Sequence, residues 1–150
     1  METKGYDAKR AIFVRSFGSR DLDASLLRLP IVGFVDFDDE RMVRTVDAIR
    51  DALETRPGML MRFRDRRDAE QRNEGAFLAC SFWLAEVLAR QRRAQEAREV
   101  FDAAVAAAND LGLFSEEFDP PSGRMLGNFP QALTHLSHIS AAVALTETAD

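Results

Sequence analysis

The stretch from Phe77 to Leu88 leaves a helix almost no polar side. Phe77, Leu78, Cys80, Phe82, Trp83, Leu84, Val87 and Leu88 cover nearly all faces of a helix predicted to run from Glu74 to about Arg90. A helix apolar most of the way round belongs deep inside a folded unit. After a short turn, Gln95 to Asn109 offers a partner with Ala97, Val100, Phe101, Ala104, Val105 and Ala108 on one face. Its alanine content favours helix intrinsically. Two helices joined so tightly must run antiparallel, and Trp83 with the phenylalanines at 77, 82 and 101 repeats at helical spacing, which assigns them to the core.

The same period organises the rest of the chain. Asp38 or Asp39 caps a helix whose Met42, Val43, Val46, Ile49 and Leu53 form one stripe, closed by Pro57-Gly58. A last helix is predicted from Pro130, in the first turn, through Thr146, with Leu133, Leu136, Ile139, Ala142 and Val143 as its core stripe. Asp21 or Ser19 caps a segment carrying Leu22, Leu26, Leu27 and Leu29, which Pro30 bends or ends. Ala11 to Val14 reads as one short strand or extended segment, and Met59 to Asn73 as a loop with an extended piece at Met59 to Phe63. No strand ladder is supported. The expected fold is all-α, built of antiparallel helix pairs over residues 11–146, with residues 1–10 frayed and 147–150 a tail.

At 150 residues the chain suffices for one domain with a real core. A net charge of −5 gives no support to a nucleic-acid partner. Arg56, Arg62, Arg64, Arg66, Arg67 and Arg72 cluster locally, but Asp65, Asp68 and Glu70 interleave with them as in a solvated loop. Cys80 is the single cysteine and reads as a small buried hydrophobe. Neither a signal peptide nor a membrane span is recognisable, so a cytoplasmic protein without membrane contact is expected.

Chemistry concentrates in two loops. Gly112-Leu113-Phe114-Ser115-Glu116-Glu117-Phe118-Asp119-Pro120 places a carboxylate pair between helical segments, and Gly127-Asn128-Phe129-Pro130-Gln131 leads into the last helix. Loops on a rigid scaffold are where chemistry usually lives. Glu116, beside Leu113, Phe114 and Phe118, is placed to act as a general base, although taken alone a solvated loop acid is the commoner role. His135 and His138 share a helical face without a third ligand, so no metal is expected, and no cofactor. His135 reads as a structural hydrogen-bonder near the loop end of its helix; His138 has no assigned role.

Taken together these segments resemble the C-terminal part of glycoside hydrolase family 15, the glucoamylase, glucodextranase and bacterial trehalase group. The resemblance is carried, in order, by Ser16-Phe17-Gly18-Ser19, Leu22-Asp23-Ala24-Ser25-Leu26-Leu27, Val32-Gly33-Phe34, Thr45-Val46-Asp47-Ala48-Ile49, Glu74-Gly75-Ala76-Phe77, Cys80-Ser81-Phe82-Trp83, Asn109-Asp110-Leu111-Gly112-Leu113, Ser115-Glu116-Glu117 and Gly127-Asn128-Phe129-Pro130-Gln131-Ala132. It implies an (α/α)6 toroid, of which this chain is about half, and inverting hydrolysis of α-glucosidic bonds in glucan oligosaccharides or trehalose. Such chemistry needs two carboxyl groups ~6.5–9.5 Å apart, one protonating the leaving oxygen and one activating water.

By resemblance the general base falls on Glu116, with Glu117 shaping it or contacting sugar hydroxyls. Arg62 takes the place of a sugar-binding arginine, in Met61-Arg62-Phe63 where the family usually has Tyr-Arg-Tyr. Glu74 lines the pocket, or else is a first-turn acid matching the helix dipole. The family's general acid lies far upstream, where this chain has no room, so the fragment is expected to be inactive or weak alone. Half a toroid should also leave the helix at 76–90 exposing an apolar patch, to be covered by self-association or by the missing N-terminal half. A different class is a helical-repeat interaction module without catalysis, built on the helix pair from Phe77 to Asn109; the period does not recur, and such arrays need about three repeats.

Overall fold

Residues 4–64 and 74–148 are described by the computed structural model, so Arg66, Arg67 and Arg72 of the arginine cluster, with Asp65, Asp68 and Glu70, lie outside the described residues. Among the described residues five α-helices follow in order: α1 (Arg28–Ile31), α2 (Glu40–Leu53), α3 (Leu78–Arg90), α4 (Ala94–Val105) and α5 (Ala132–Glu147). The fold is mostly helical. α3 is its axis: every residue from Leu78 to Ala89 is buried, including Ser81 and Glu86. It packs along both α4 and α5, with α2 and a 3-10 turn at Ala24–Leu27 completing the core.

Local signals explain most of this. Asp39 caps α2 by accepting the Arg41 N–H at 2.8 Å, and Met42, Val46, Ile49 and Leu53 are buried as their spacing requires. Arg93 at the start of α4 pairs with Asp47 at 2.7 Å and Glu96 at 2.8 Å, tying α4 to α2. The cap of the first helical segment is Asp23 rather than Asp21 or Ser19, and Pro30 sits within α1, which ends at the next residue.

Strand pairing is where expectation fails. The described residues form three small antiparallel sheets: β1 (Tyr6–Asp7) with β2 (Ile12–Phe13), β3 (Glu54–Arg56) with β4 (Met59–Leu60), and a three-stranded sheet of β5 (Ala76–Phe77), β6 (Glu117–Asp119) and β7 (Arg124–Leu126). The stretch expected to fray thus carries β1, and Pro57-Gly58 forms the turn between β3 and β4, not the end of α2. Strands this short leave no period-two pattern to read.

The third sheet also moves a boundary. Glu74 does not open a helix, because Ala76 and Phe77 pair with Phe118 and Glu117, and α3 begins only at Leu78, whose N–H donates to the Glu116 carbonyl at 3.1 Å. α5 likewise starts late. Gln131 gives its N–H to the Phe114 carbonyl and its side chain accepts from Leu133 N–H, so Pro130, which follows a cis peptide bond, precedes the cap rather than sitting in the first turn.

Burial on α5 reverses expectation as well. Thr134, Ser137, Ala141, Ala144 and Leu145 face inward, whereas Leu133, Leu136, Ile139 and Val143 of the predicted core stripe are exposed. Small residues let α5 approach α3 closely. The predicted open patch on the 76–90 helix is absent, and the apolar surface lies on α5.

Candidate functional site

The loop from Phe114 to Glu117 threads between the N-terminal ends of α3 and α5 and is fixed on both sides. Thr134 Oγ1 donates to the Ser115 carbonyl at 3.0 Å, and Ser115 Oγ donates to the Glu117 carbonyl at 2.6 Å. The Glu116 N–H donates to the Asn128 carbonyl at 2.9 Å. Ser115 and Thr134 are fully buried, so the bond between them forms away from water and holds the backbone beside Glu116 tightly.

Glu116 is half-buried, and only one of its oxygens is engaged. Oε2 accepts from the Asn128 backbone N–H at 3.1 Å and from Asn128 Nδ2 at 2.9 Å. Oε1 has no hydrogen-bond partner among the described residues. A carboxylate anchored by one oxygen with the other free is oriented, yet able to accept a proton. Glu117 sits on β6 and accepts the Gly75 N–H through Oε2 at 3.1 Å. Burial raises its pKa above the ordinary glutamate range; the Gly75 amide opposes this, while the charges of Glu74 and Glu116 add to it. Three acids named from the sequence therefore gather at one place. Glu74 is exposed and lines a cleft of about 230 Å³ with Thr55, Arg56, Gly75, Asp119, Pro120 and Pro121. It precedes α3 by four residues, so it is not a first-turn acid.

Arg62 reaches the same end of α3 from another direction. Its Nε donates to Asp23 Oδ1 at 2.9 Å, and its charge acts on Cys80 in the first turns of α3. Burial pushes the Cys80 thiol up, which makes it inert packing. Neither terminal nitrogen of Arg62 has a hydrogen-bond partner among the described residues. No direct contact joins Arg62 to Glu116.

Asp23 and Asn128 are the residues that sequence reasoning missed as parts of the site. Asp23 is only 5% exposed. Burial alone would raise its pKa, but hydrogen bonds from Ser25 and Arg62 outweigh that and hold it below the usual carboxylate range. An aspartate directly before Ala24-Ser25-Leu26-Leu27 is a cap signal, and a cap so placed was the available clue. His135 takes the expected structural role, its Nε2 accepting the Phe114 N–H at 3.2 Å. His138 stacks on Phe101 at 5.4 Å between centroids and meets Phe82 and Phe114, so its role is packing.

Comparison with known proteins identifies the family. The sequence profile described as glycosyl hydrolases family 15 matches residues 1–143. The trehalase of Thermoplasma acidophilum is 44% identical over 145 residues, which are 97% of this chain and 25% of that protein. The trehalase of Mycobacterium tuberculosis is 41% identical over 136 residues, 89% of this chain and 20% of that one. A solved wild-type glycosidase superposes with a TM-score of 0.81 at 21% identity, covering 97% of this chain and 41% of its own. A variant glycosidase solved in complex with glucose gives the same TM-score. The chain thus spans about a quarter of the length of the curated relatives it matches. With nearly all of its residues inside that profile, the chain belongs to glycoside hydrolase family 15.

Proposed function

We propose that this chain is the section of a family 15 hydrolase domain that supplies the general base for inverting hydrolysis of an α-glucosidic bond, with trehalose as the favoured substrate. The observation that carries the reading is the carboxylate of Glu116, anchored through Oε2 by Asn128 and free at Oε1, with Glu117 and Glu74 beside it. Substrate preference rests on the curated relatives, which are trehalases.

In this reading a water lies between Glu116 Oε1 and the anomeric carbon. Its proton passes to Oε1 as its oxygen bonds to that carbon from the face opposite the departing group. The glycosidic bond breaks, and the leaving oxygen takes a proton from an acid contributed by a part of the domain outside these residues, ~6.5–9.5 Å from the base. Arg62, aimed by Asp23 through Nε, offers its terminal nitrogens to sugar hydroxyls; Glu117 and Glu74 accept hydrogen bonds from hydroxyls around the base. The 41% coverage of a glycosidase chain supports a partial (α/α)6 toroid, about half of the ring.

The chain alone is therefore expected to be nearly inactive, since absence of the acid alone forfeits ~10²–10⁴-fold. The test pairs two proteins: the isolated chain, and a chimera in which it replaces the matched quarter of the Thermoplasma acidophilum trehalase. Glucose release from trehalose should appear in the chimera and be marginal in the chain. Robust turnover by the isolated chain would contradict the division of the two carboxyl groups, and a folded chimera without turnover would contradict the substrate assignment.

A further inference from the structure

The turn Ser16-Phe17-Gly18-Ser19 holds an aromatic ring out into water. It is closed by the Ser19 N–H donating to the Ser16 carbonyl at 3.1 Å, and tied back by the Gly18 N–H donating to the Lys4 carbonyl at 3.3 Å. Gly18 supplies the left-handed backbone that the turn needs, with φ +75°. Phe17 is 66% exposed. A lone exposed phenylalanine signals nothing by itself. This one borders polar groups that are also unused.

Beside the ring a cleft of about 560 Å³ is lined by Tyr6, Asp7, Ser19 and Arg20. A second, of about 480 Å³, is lined by Arg10, Asp21, Asp51 and Arg64 and meets the first at Arg20. Each is the size of a small-molecule site, ~300–1,000 Å³. Part of the lining is fixed in place. Arg10 pairs with Asp7 at 2.8 Å and donates to the Arg20 carbonyl at 2.6 Å, and Asp21 accepts from Ser19 Oγ at 2.9 Å. The side chains of Arg20, Arg64 and Asp51 make no hydrogen bond or ion pair among the described residues, so donors and an acceptor are all on offer. With Lys4, four cations stand against three acids, so neither a phosphate nor a metal ion finds much net attraction. The lining suits a neutral ligand rich in hydroxyl groups. Guanidinium forks donate to adjacent oxygens, carboxylates accept from O–H, and an aromatic ring covers an apolar C–H face. A chain of hexopyranose units has all of these features.

We propose that this groove, from Phe17 across Arg20 to Arg64 and Asp51, is a second carbohydrate-binding site that takes a glucan oligosaccharide. One sugar ring stacks on Phe17, and another bonds to Arg64 and Asp51. The inner end of the groove lies beside the Asp23–Arg62 pair. Asp21 and Leu22 lead into Asp23, Arg64 follows Phe63, and a bridge between Asp23 and Phe63 sets the two segments side by side. The inference goes beyond the function proposed above and rests neither on the role of Glu116 nor on trehalose as substrate.

Maltopentaose titrated into the isotope-labelled full chain tests it by nuclear magnetic resonance. Backbone amide signals of Phe17, Arg20 and Arg64 should shift and saturate. Phe17→Ala should weaken binding ~10-fold or more and Phe17→Trp should retain it. Arg64→Ala should weaken it too, and Tm should stay unchanged because both side chains face water. The same variants are read in the chimera with the Thermoplasma acidophilum trehalase by retardation in a native gel containing glycogen, which Phe17→Ala should abolish. Shifts confined to Arg62, Glu116 and Asn128 would overturn the inference, as would undiminished binding by Phe17→Ala in both measurements. Inorganic phosphate moving the same amides at lower concentration than maltopentaose would also overturn it, by making the groove an anion site. Neither readout involves turnover, so a chimera that hydrolyses no trehalose leaves this inference standing, and a groove that binds no glucan leaves the role of Glu116 untouched.

Discussion

Gly127 stands so close to Glu116 that a Cβ at residue 127 would lie 2.8 Å from Glu116 Oε2 and 3.0 Å from its Cβ. The glycine also has φ +70°, in the left-handed region. Two independent demands thus meet at one position, and both serve the carboxylate. Gly123 isolates them, because it shares the backbone geometry at φ +69° but has no atom within 4 Å of its would-be Cβ. Each glycine-to-alanine change should cost ~1–2 kcal/mol for the left-handed backbone. Gly127→Ala should cost more than Gly123→Ala by urea denaturation, and it alone should break the bonds from Asn128 to Glu116. Equal costs would mean that Glu116 is not held against Gly127.

Asp23 performs two tasks with one carboxylate. Oδ1 accepts the Ser25 N–H at 2.8 Å, capping the 3-10 turn, and also accepts from Arg62 Nε. Asp23→Ala removes a cap worth ~0.5–2 kcal/mol and leaves a half-buried guanidinium without its partner, so a total loss of about 2–3 kcal/mol is expected by denaturant melting. Arg62→Met leaves the cap intact and should cost distinctly less. Equal losses would separate the cap from the ion pair in the wrong sense.

Glu117 should be a stability liability at neutral pH. Its folded pKa lies above the unfolded value, so the fold holds a proton more tightly than the unfolded chain does. The resulting cost is absent below the unfolded pKa of about 4.5 and fully present once pH exceeds the folded value. Glu117→Gln keeps an oxygen for the Gly75 N–H while removing the charge. Its Tm should rise modestly at pH ~7 and stay unchanged near pH ~4. A fall at neutral pH would show that the charge itself stabilises the site.

His138 gives the opposite slope. Burial among Phe82, Phe101 and Phe114, with His135 adjacent, lowers its folded pKa below the ordinary 6.5. Stability is then fully present above about pH 6.5 and declines as pH drops through the range between the unfolded and folded values. His138→Phe, which preserves the aromatic packing, should flatten the profile between pH ~7.5 and ~5.5. An unchanged profile would move the titration elsewhere.

Helical elements were legible because their signals are local. The stripe of α2, the all-round apolarity of α3 and the cap at Asp39 depend on residues within a few turns of one another. The small sheets were not legible, because β5, β6 and β7 are two or three residues long, and β5 finds its partner β6 some forty positions away. α5 misled for a different reason: its periodicity was real, but the face it buries within this chain is the small-residue one. At the site, Glu116, Glu117 and Glu74 were named from sequence and do lie together, whereas Asp23 and Asn128 act through partners at separations of 39 and 12 residues, where no local pattern reports them. The helical-repeat alternative has no further support, since the family profile spans the helix pair on which it rested.

The most direct test compares Glu116→Gln with Glu117→Gln in the chimera that carries this chain in place of the matched quarter of the Thermoplasma acidophilum trehalase. Glutamine is close in shape but cannot take a proton from water. Glu116→Gln should lower kcat for trehalose by ~10²-fold or more with KM and Tm little changed, while Glu117→Gln should act mainly on KM. Full turnover by Glu116→Gln, or a larger kcat loss in Glu117→Gln, would contradict the assignment of the base.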